Sequence, residues 1–202
     1  MNENIYGSSK SAPVDRQQAG PFDLSEVKAA TQYIDFGSLR IPAQENLQFR
    51  LEVEEATKRI VAITIDSGES SLQLQAFAAP RHEGLWHEIR SQITQALSQQ
   101  GAEVKEGIGT LGHEIASRQP IVDETGRTVG HKLARFVGVD GPRWFLRGVI
   151  SGAALNDPIA AGEIETIFRH VVVNRGETPL PPKDLLPISV PGGAVLPPGA
   201  LQ

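Results

Sequence analysis

Between Arg127 and Arg147 the chain carries five basic residues, Arg127, Lys132, Arg135, Arg143 and Arg147, against a single acid, Asp140. Read as two strands joined at Asp140-Gly141-Pro142, this stretch puts Arg143 and Arg147 on one face, roughly 13 Å apart at about 3.3 Å per residue. A three-residue loop would set Val139 opposite Arg143, Val137 opposite Phe145 and Arg135 opposite Arg147. Like charges directly opposite destabilise a sheet, so Arg135, Arg143 and Arg147 together call for an anion between them. Guanidinium groups suit carboxylate or phosphate, which they bind in bidentate fashion. The expectation is an anion-accepting face made by these three residues. The competing reading is that the chain's own Asp and Glu satisfy them, or that they lie solvated over aliphatic stems.

Other motifs promise less. Gly107-Ile-Gly109-Thr-Leu-Gly112 matches the spacing of a dinucleotide fingerprint, but that motif works only between a strand and a following helix. Here His113–Gln119 alternates like a strand and ends at Pro120, so a glycine-permitted turn is expected. Asp35-Phe36-Gly37 copies a kinase metal triplet without its companion motifs, so Phe36 reads as core and Gly37 as a turn. His82 and His87 are five apart across Gly84, a poor spacing for helix ligands. No G-x-S-x-G elbow surrounds any serine. No cofactor and no metal site is expected.

Composition narrows the classes. The 202 residues carry a net charge of −5, and 40% are hydrophobic. That supports one cored domain and argues against a nucleic-acid partner. There is no cysteine, which excludes thiolate chemistry and suits a reducing compartment. No window resembles a membrane span or a signal peptide, and a cytoplasmic protein is expected.

The elements that must position these residues follow from periodicity. Leu47, Phe49, Leu51 and Val53 alternate with polar residues, residues 59–65 form a β-branched run, and Leu72, Leu74 and Ala76 alternate again. Asp66-Ser-Gly-Glu69 is a turn, and the short connections make this sheet antiparallel. A helix opens near Gly84 with the stripe Leu85, Trp86, Ile89, Ile93 and Leu97, and stops at Gly101. Strands are expected near 103–106, 111–118, 129–139 and 143–150. Asn156-Asp157-Pro158 starts a second helix, with Ile164, Ile167, Phe168 and Val171 on one face. Asp23-Leu-Ser-Glu26 has capping-box spacing.

The expected fold is α+β: a twisted antiparallel sheet of about six to seven strands, two main helices packed on one face, and an extended Pro-rich C-terminal tail. Residues 1–20 read as a flexible arm, 21–176 as a single α+β domain and 177–202 as the tail. Seven of the chain's 14 prolines lie from Pro179 to Pro198, a composition that favours extended backbone.

Two stretches, Tyr33–Ala43 and Arg135–Gly152, resemble a family of actinobacterial proteins filed as a domain of unknown function. The resemblance covers most of residues 20–190. It implies a shared fold and actinobacterial origin, and it carries over no catalytic or binding residue. The first functional expectation is therefore a non-enzymatic binding or adaptor module, meeting a protein partner through the hairpin face or the Pro-rich tail. The alternative is an enzyme or ligand-binding protein that holds an acidic or phosphorylated small molecule on the Arg135, Arg143 and Arg147 face. Pairing of edge strands between two copies would give a homo-oligomer.

Overall fold

The computed structural model describes residues 9–27 and 32–193. A small sheet is built from β1 (Phe22–Asp23), β2 (Tyr33–Asp35), β3 (Leu39–Pro42) and β11 (Val172–Val173), in the order β1-β11-β3-β2. The main sheet has seven strands: β4 (Leu47–Glu54), β5 (Arg59–Ser67), β6 (Ser70–Ala78), β7 (Glu103–Gly109), β8 (Gly112–Val122), β9 (Thr128–Asp140) and β10 (Trp144–Gly152). Their order is β4-β5-β6-β10-β9-β8-β7, and every neighbouring pair is antiparallel. The sheet is thus two meanders, β4–β6 and β7–β10, sewn together where β10 pairs with β6. The period-2 pattern explains the strands: in β6 every second residue from Ser70 to Ala78 is buried.

Helix α1 (Arg16–Ala19) is a single turn in the arm; α2 (Trp86–Gln99) and α3 (Pro158–Arg169) are the main helices. They lie on opposite faces of the sheet, which corrects the expectation of one shared face. Trp86 of α2 stacks on Phe145, with ring centroids 5.7 Å apart, on the face that carries Arg147. Phe168 of α3 packs against Gly148 and Val137 on the other face. The cause is topological. The β6-to-β7 connection must reach the far edge of the sheet, and α2 makes that crossing over one face. The chain then leaves β10 at the sheet centre and returns α3 across the other. Two glycines allow the close approach: a Cβ on Gly138 would overlap the Trp86 ring, and a Cβ on Gly148 would meet Phe168 at 2.9 Å. Because both faces are covered, β10 buries Trp144, Leu146 and Ile150 on one side and Phe145 on the other.

Several element ends follow their local sequence signals. Asp23 and Glu26 form a reciprocal capping box around the short turn Leu24–Glu26. Asp157 caps α3 by accepting from Ile159 N, with Pro158 in the first position. α3 ends at Arg169, so Val171 belongs to the connection and Val172 to β11 rather than to a longer helix.

Both ends of the described chain are docked. In the arm, Ser11 N donates to the Asp140 carboxylate at 2.9 Å, and Asp140 N donates to Ser11 O at 2.8 Å. Arg16 is buried, pairs with Glu26 and lies over the Trp144 ring. The tail is extended, as its prolines favour, but it is part of the sheet. β5 pairs with β6 only as far as Leu74, and the tail takes up the ladder positions beyond. Lys183 N donates to Ala78 O, Ala78 N to Asp184 O and Leu186 N to Ala76 O, each at 2.8 Å. Leu186 is fully buried in the main core. The rest of the tail, from 194, lies outside the described residues.

Candidate functional site

The β9–β10 hairpin decides where the three expected arginines go. Asp140 is a ladder residue paired with Phe145, and Gly141 N closes the turn by donating to Trp144 O at 2.8 Å. The loop is therefore Pro142-Arg143. Register shifts accordingly: Arg147 faces Gly138 and Arg135 faces Ile150. The expected Arg135–Arg147 opposition does not occur, and the two side chains lie on opposite faces of the sheet. Asp-Gly-Pro looks like a loop locally. Long-range bonds extend the strand through Asp140, whose buried carboxylate accepts from Leu85 N at 2.8 Å as well as from Ser11 N.

Each arginine then has a different fate. Arg135 is held by Glu114 at 3.2 Å and by Glu165, which also accepts from the Thr110 hydroxyl at 2.6 Å. This is internal pairing, as the competing reading had it. Burial, and then the nearby charge of Glu165, push the Glu114 carboxyl above its ordinary range, with Arg135 opposing. Arg147 lies 5.7 Å over the Phe77 ring and donates to Gln75; burial pulls its guanidinium below the ordinary arginine range. Arg143, at the hairpin tip, has no carboxylate partner among the described residues and stays exposed.

A different set of residues gathers around Arg143. Asn174, Arg175 and Gly176 follow β11 and border two adjoining cavities. One, of about 480 Å³, is lined by Pro142, Arg143, Arg175, Ser25, Asp23 and Glu177. The other, of about 410 Å³, is lined by Arg175, Arg59, Ser38, Leu180, Leu185 and Pro187. Arg175 is common to both. Its Nη1 donates to Thr178 O at 3.0 Å, while its Nε is buried with no hydrogen-bond partner among the described residues. Burial, and then the neighbouring charge of Arg143, lower the Arg175 guanidinium from its ordinary range. Ser38 Oγ is a second buried polar atom without a described partner.

The backbone around these residues is firmly placed. Asn174 N donates to Ser38 O at 2.8 Å, Asn174 Nδ2 to Gly37 O at 3.3 Å, and Ser38 N to Pro187 O at 3.2 Å. Asp23 is already committed: its Oδ2 accepts from Trp144 Nε1 at 2.9 Å and its Oδ1 from Ser25. Burial pushes Asp23 up, but those bonds and the charge of Arg16 outweigh it, and the carboxylate stays ionised below its ordinary value. Beside the exposed Glu177, the groove presents guanidinium groups without a described carboxylate partner, an unpaired hydroxyl and amides, which suit a negative charge.

A family model described as a protein of unknown function, DUF3710, matches residues 20–195. The chain belongs to the DUF3710 family. The match takes in every residue of the groove, and both stretches that carried the resemblance, 33–43 and 135–152, reach it through Gly37, Ser38, Pro142 and Arg143. No curated protein matches the chain. The family's description names no activity, so in this DUF3710 member the groove rests on its own geometry.

Sequence reasoning found Arg143 and missed Arg59, Arg175 and Ser38. Arg59 begins a strand and Arg175 follows a helix stop, so neither position looks special locally. The motifs set aside behave as expected. Gly107-Ile-Gly109-Thr-Leu-Gly112 is the β7–β8 hairpin, with Gly112 at φ +97°. Phe36 is buried, and Gly37 turns at φ +84°. Among the described residues no cluster of three or more His, Asp or Glu is placed to hold a metal, and no helix is long and apolar enough to cross a membrane.

Proposed function

We propose that the protein is a binding module that recognises an acidic group, carboxylate or phosphate, in the groove shared by Arg143, Arg175 and Arg59. The observation that carries this reading is Arg175: a guanidinium whose Nε is buried without a partner, set beside a second unpaired arginine on the same cavity wall. Two adjacent cations without a described carboxylate destabilise one another, and a bound anion relieves both. Eight other arginines of the chain, by contrast, hold a described carboxylate. The groove binds rather than reacts, on this reading, because its groups are mainly guanidinium, hydroxyl and amide, and of its two carboxylates Asp23 is held ionised by its hydrogen bonds while Glu177 is exposed. A partner protein offering an acidic side chain meets the same chemistry, which keeps the adaptor role within this proposal.

The test is thermal melting with inorganic phosphate. At a concentration about tenfold above its Kd, phosphate adds about 1.4 kcal/mol of stability, a rise of about 3–6 °C for a chain of this size. The rise should vanish in the double variant Arg143→Ala, Arg175→Ala. An equal rise in that variant would remove the groove from consideration.

A further inference from the structure

We propose a second, separate binding site for a small amphipathic carboxylic acid, in the cavity between the outer strands β7–β9 and the turn Ala153–Asn156. α3 covers its face of the sheet near the centre, where Phe168 meets Gly148 and Val137. Toward the β7 edge that face carries Lys105, Ala116, Leu133 and Arg135. With Leu155 and Asn156 at one end, they enclose about 300 Å³, at the small end of the size range of ligand sites.

The lining combines two chemistries. Ala116, Leu133 and Leu155 supply an apolar body. Leu133, 39% exposed, is a large hydrophobic left open on this face. Lys105, Arg118 and Arg135 outnumber the one acid of the lining, Glu103. Glu103 is engaged by Arg118 at 3.6 Å, and Arg135 is neutralised by Glu114 and Glu165. Lys105 is exposed and has no carboxylate partner among the described residues. A free ammonium at the mouth of an apolar cavity selects a ligand with a hydrocarbon body and one acidic head, because lysine acts as a compact point charge.

This site does not depend on the arginine groove. Leu133 and Asp140 are separated by seven residues of β9, roughly 23 Å at about 3.3 Å each, and Arg143 lies beyond Asp140.

The test is a titration of the full chain with octanoate, followed by amide and methyl NMR, with octanol as the neutral probe. Octanoate should shift Ala116, Leu133 and Leu155 saturably, with a Kd at or below about 10 mM. Lys105→Gln should weaken octanoate by up to about fivefold, the upper range of an exposed ion pair, and leave octanol unchanged. Leu133→Glu should abolish both. Lys105 and Leu133 are not buried, so neither substitution reaches the core. Arg143→Ala should leave octanoate binding untouched, which separates this site from the phosphate groove. The proposal is overturned if octanoate produces no saturable shift at these residues, or if Lys105→Gln leaves its affinity unchanged.

Discussion

The carboxylate of Asp140 accepts the backbone N–H of Leu85 at 2.8 Å, across 55 residues of sequence. Leu85 is the residue before α2, so the hairpin tip supplies the cap that the helix lacks from its own chain. The same carboxylate accepts from Trp86 N at 3.4 Å and from Ser11 N at 2.9 Å, and Lys10 Nζ donates to Pro142 O at 2.7 Å. One buried acid thus ties together the hairpin, the helix and the N-terminal arm. Burial pushes its carboxyl up, while the three backbone N–H groups and Lys10 favour the charged form.

Asp140→Ala should leave those three donors without their acceptor. The expected loss is about 2–4 kcal/mol, since each buried unsatisfied donor costs about 1–3 kcal/mol and relaxation recovers part of it. Hydrogen exchange should rise at Ser11, Leu85 and Trp86 before it rises in β6. Uniform loss of protection across the sheet would contradict this local role.

Gly138→Ala places a methyl group where the Trp86 ring now sits. Overpacking of this kind costs about 1–3 kcal/mol. Trp86 is fully buried and donates from Nε1 to His113 O at 2.7 Å, so a displaced ring breaks that bond too. Denaturant unfolding should show the loss, and tryptophan fluorescence should shift to the red. An unchanged midpoint would mean that α2 does not rest on this strand.

Glu114 gives a pH dependence with a definite sign. Its carboxyl is raised in the folded protein, mainly by burial. The folded state therefore holds a proton that the unfolded chain releases, and stability falls as pH rises from about 4.3, the ordinary glutamate value, through the raised one. Glu114→Gln should flatten that part of the stability curve, measured by melting between about pH 4 and pH 7. A variant curve parallel to the wild type would show that Arg135 keeps Glu114 ionised throughout.

Much of the scaffold was legible because it is written locally. The alternation in β6, the capping box at Asp23 and the Asp157-Pro158 helix start depend on neighbours in sequence. The hairpin register was not legible. Asp140-Gly141-Pro142 has the composition of a loop, and only Ser11 and Leu85, more than 50 residues away, make Asp140 part of a strand. That shift separated Arg135 from Arg147 and sent each to a different face. Helix placement failed for a related reason: which face a crossover takes depends on strand order, and strand order is a long-range property. The arginine groove joins residues 38, 59, 143 and 175, a set that no spacing rule connects. Arg143 was found because it lies in the basic stretch, and its neighbours were missed because they do not.

The most direct measurement is a phosphate titration observed at the arginine side-chain Nε–Hε resonances. Arg175 Nε, like the Nε of Arg135 and Arg147, is a buried donor without a hydrogen-bond partner among the described residues, and its signal reports the contact in the groove itself. The account predicts a saturable shift of the Arg175 signal, weakened by Arg143→Ala and preserved in Arg147→Met, whose guanidinium already lies over Phe77. A silent Arg175 signal under phosphate concentrations that move Arg147 or Arg135 would contradict the account and return the anion site to the residues that the sequence first suggested.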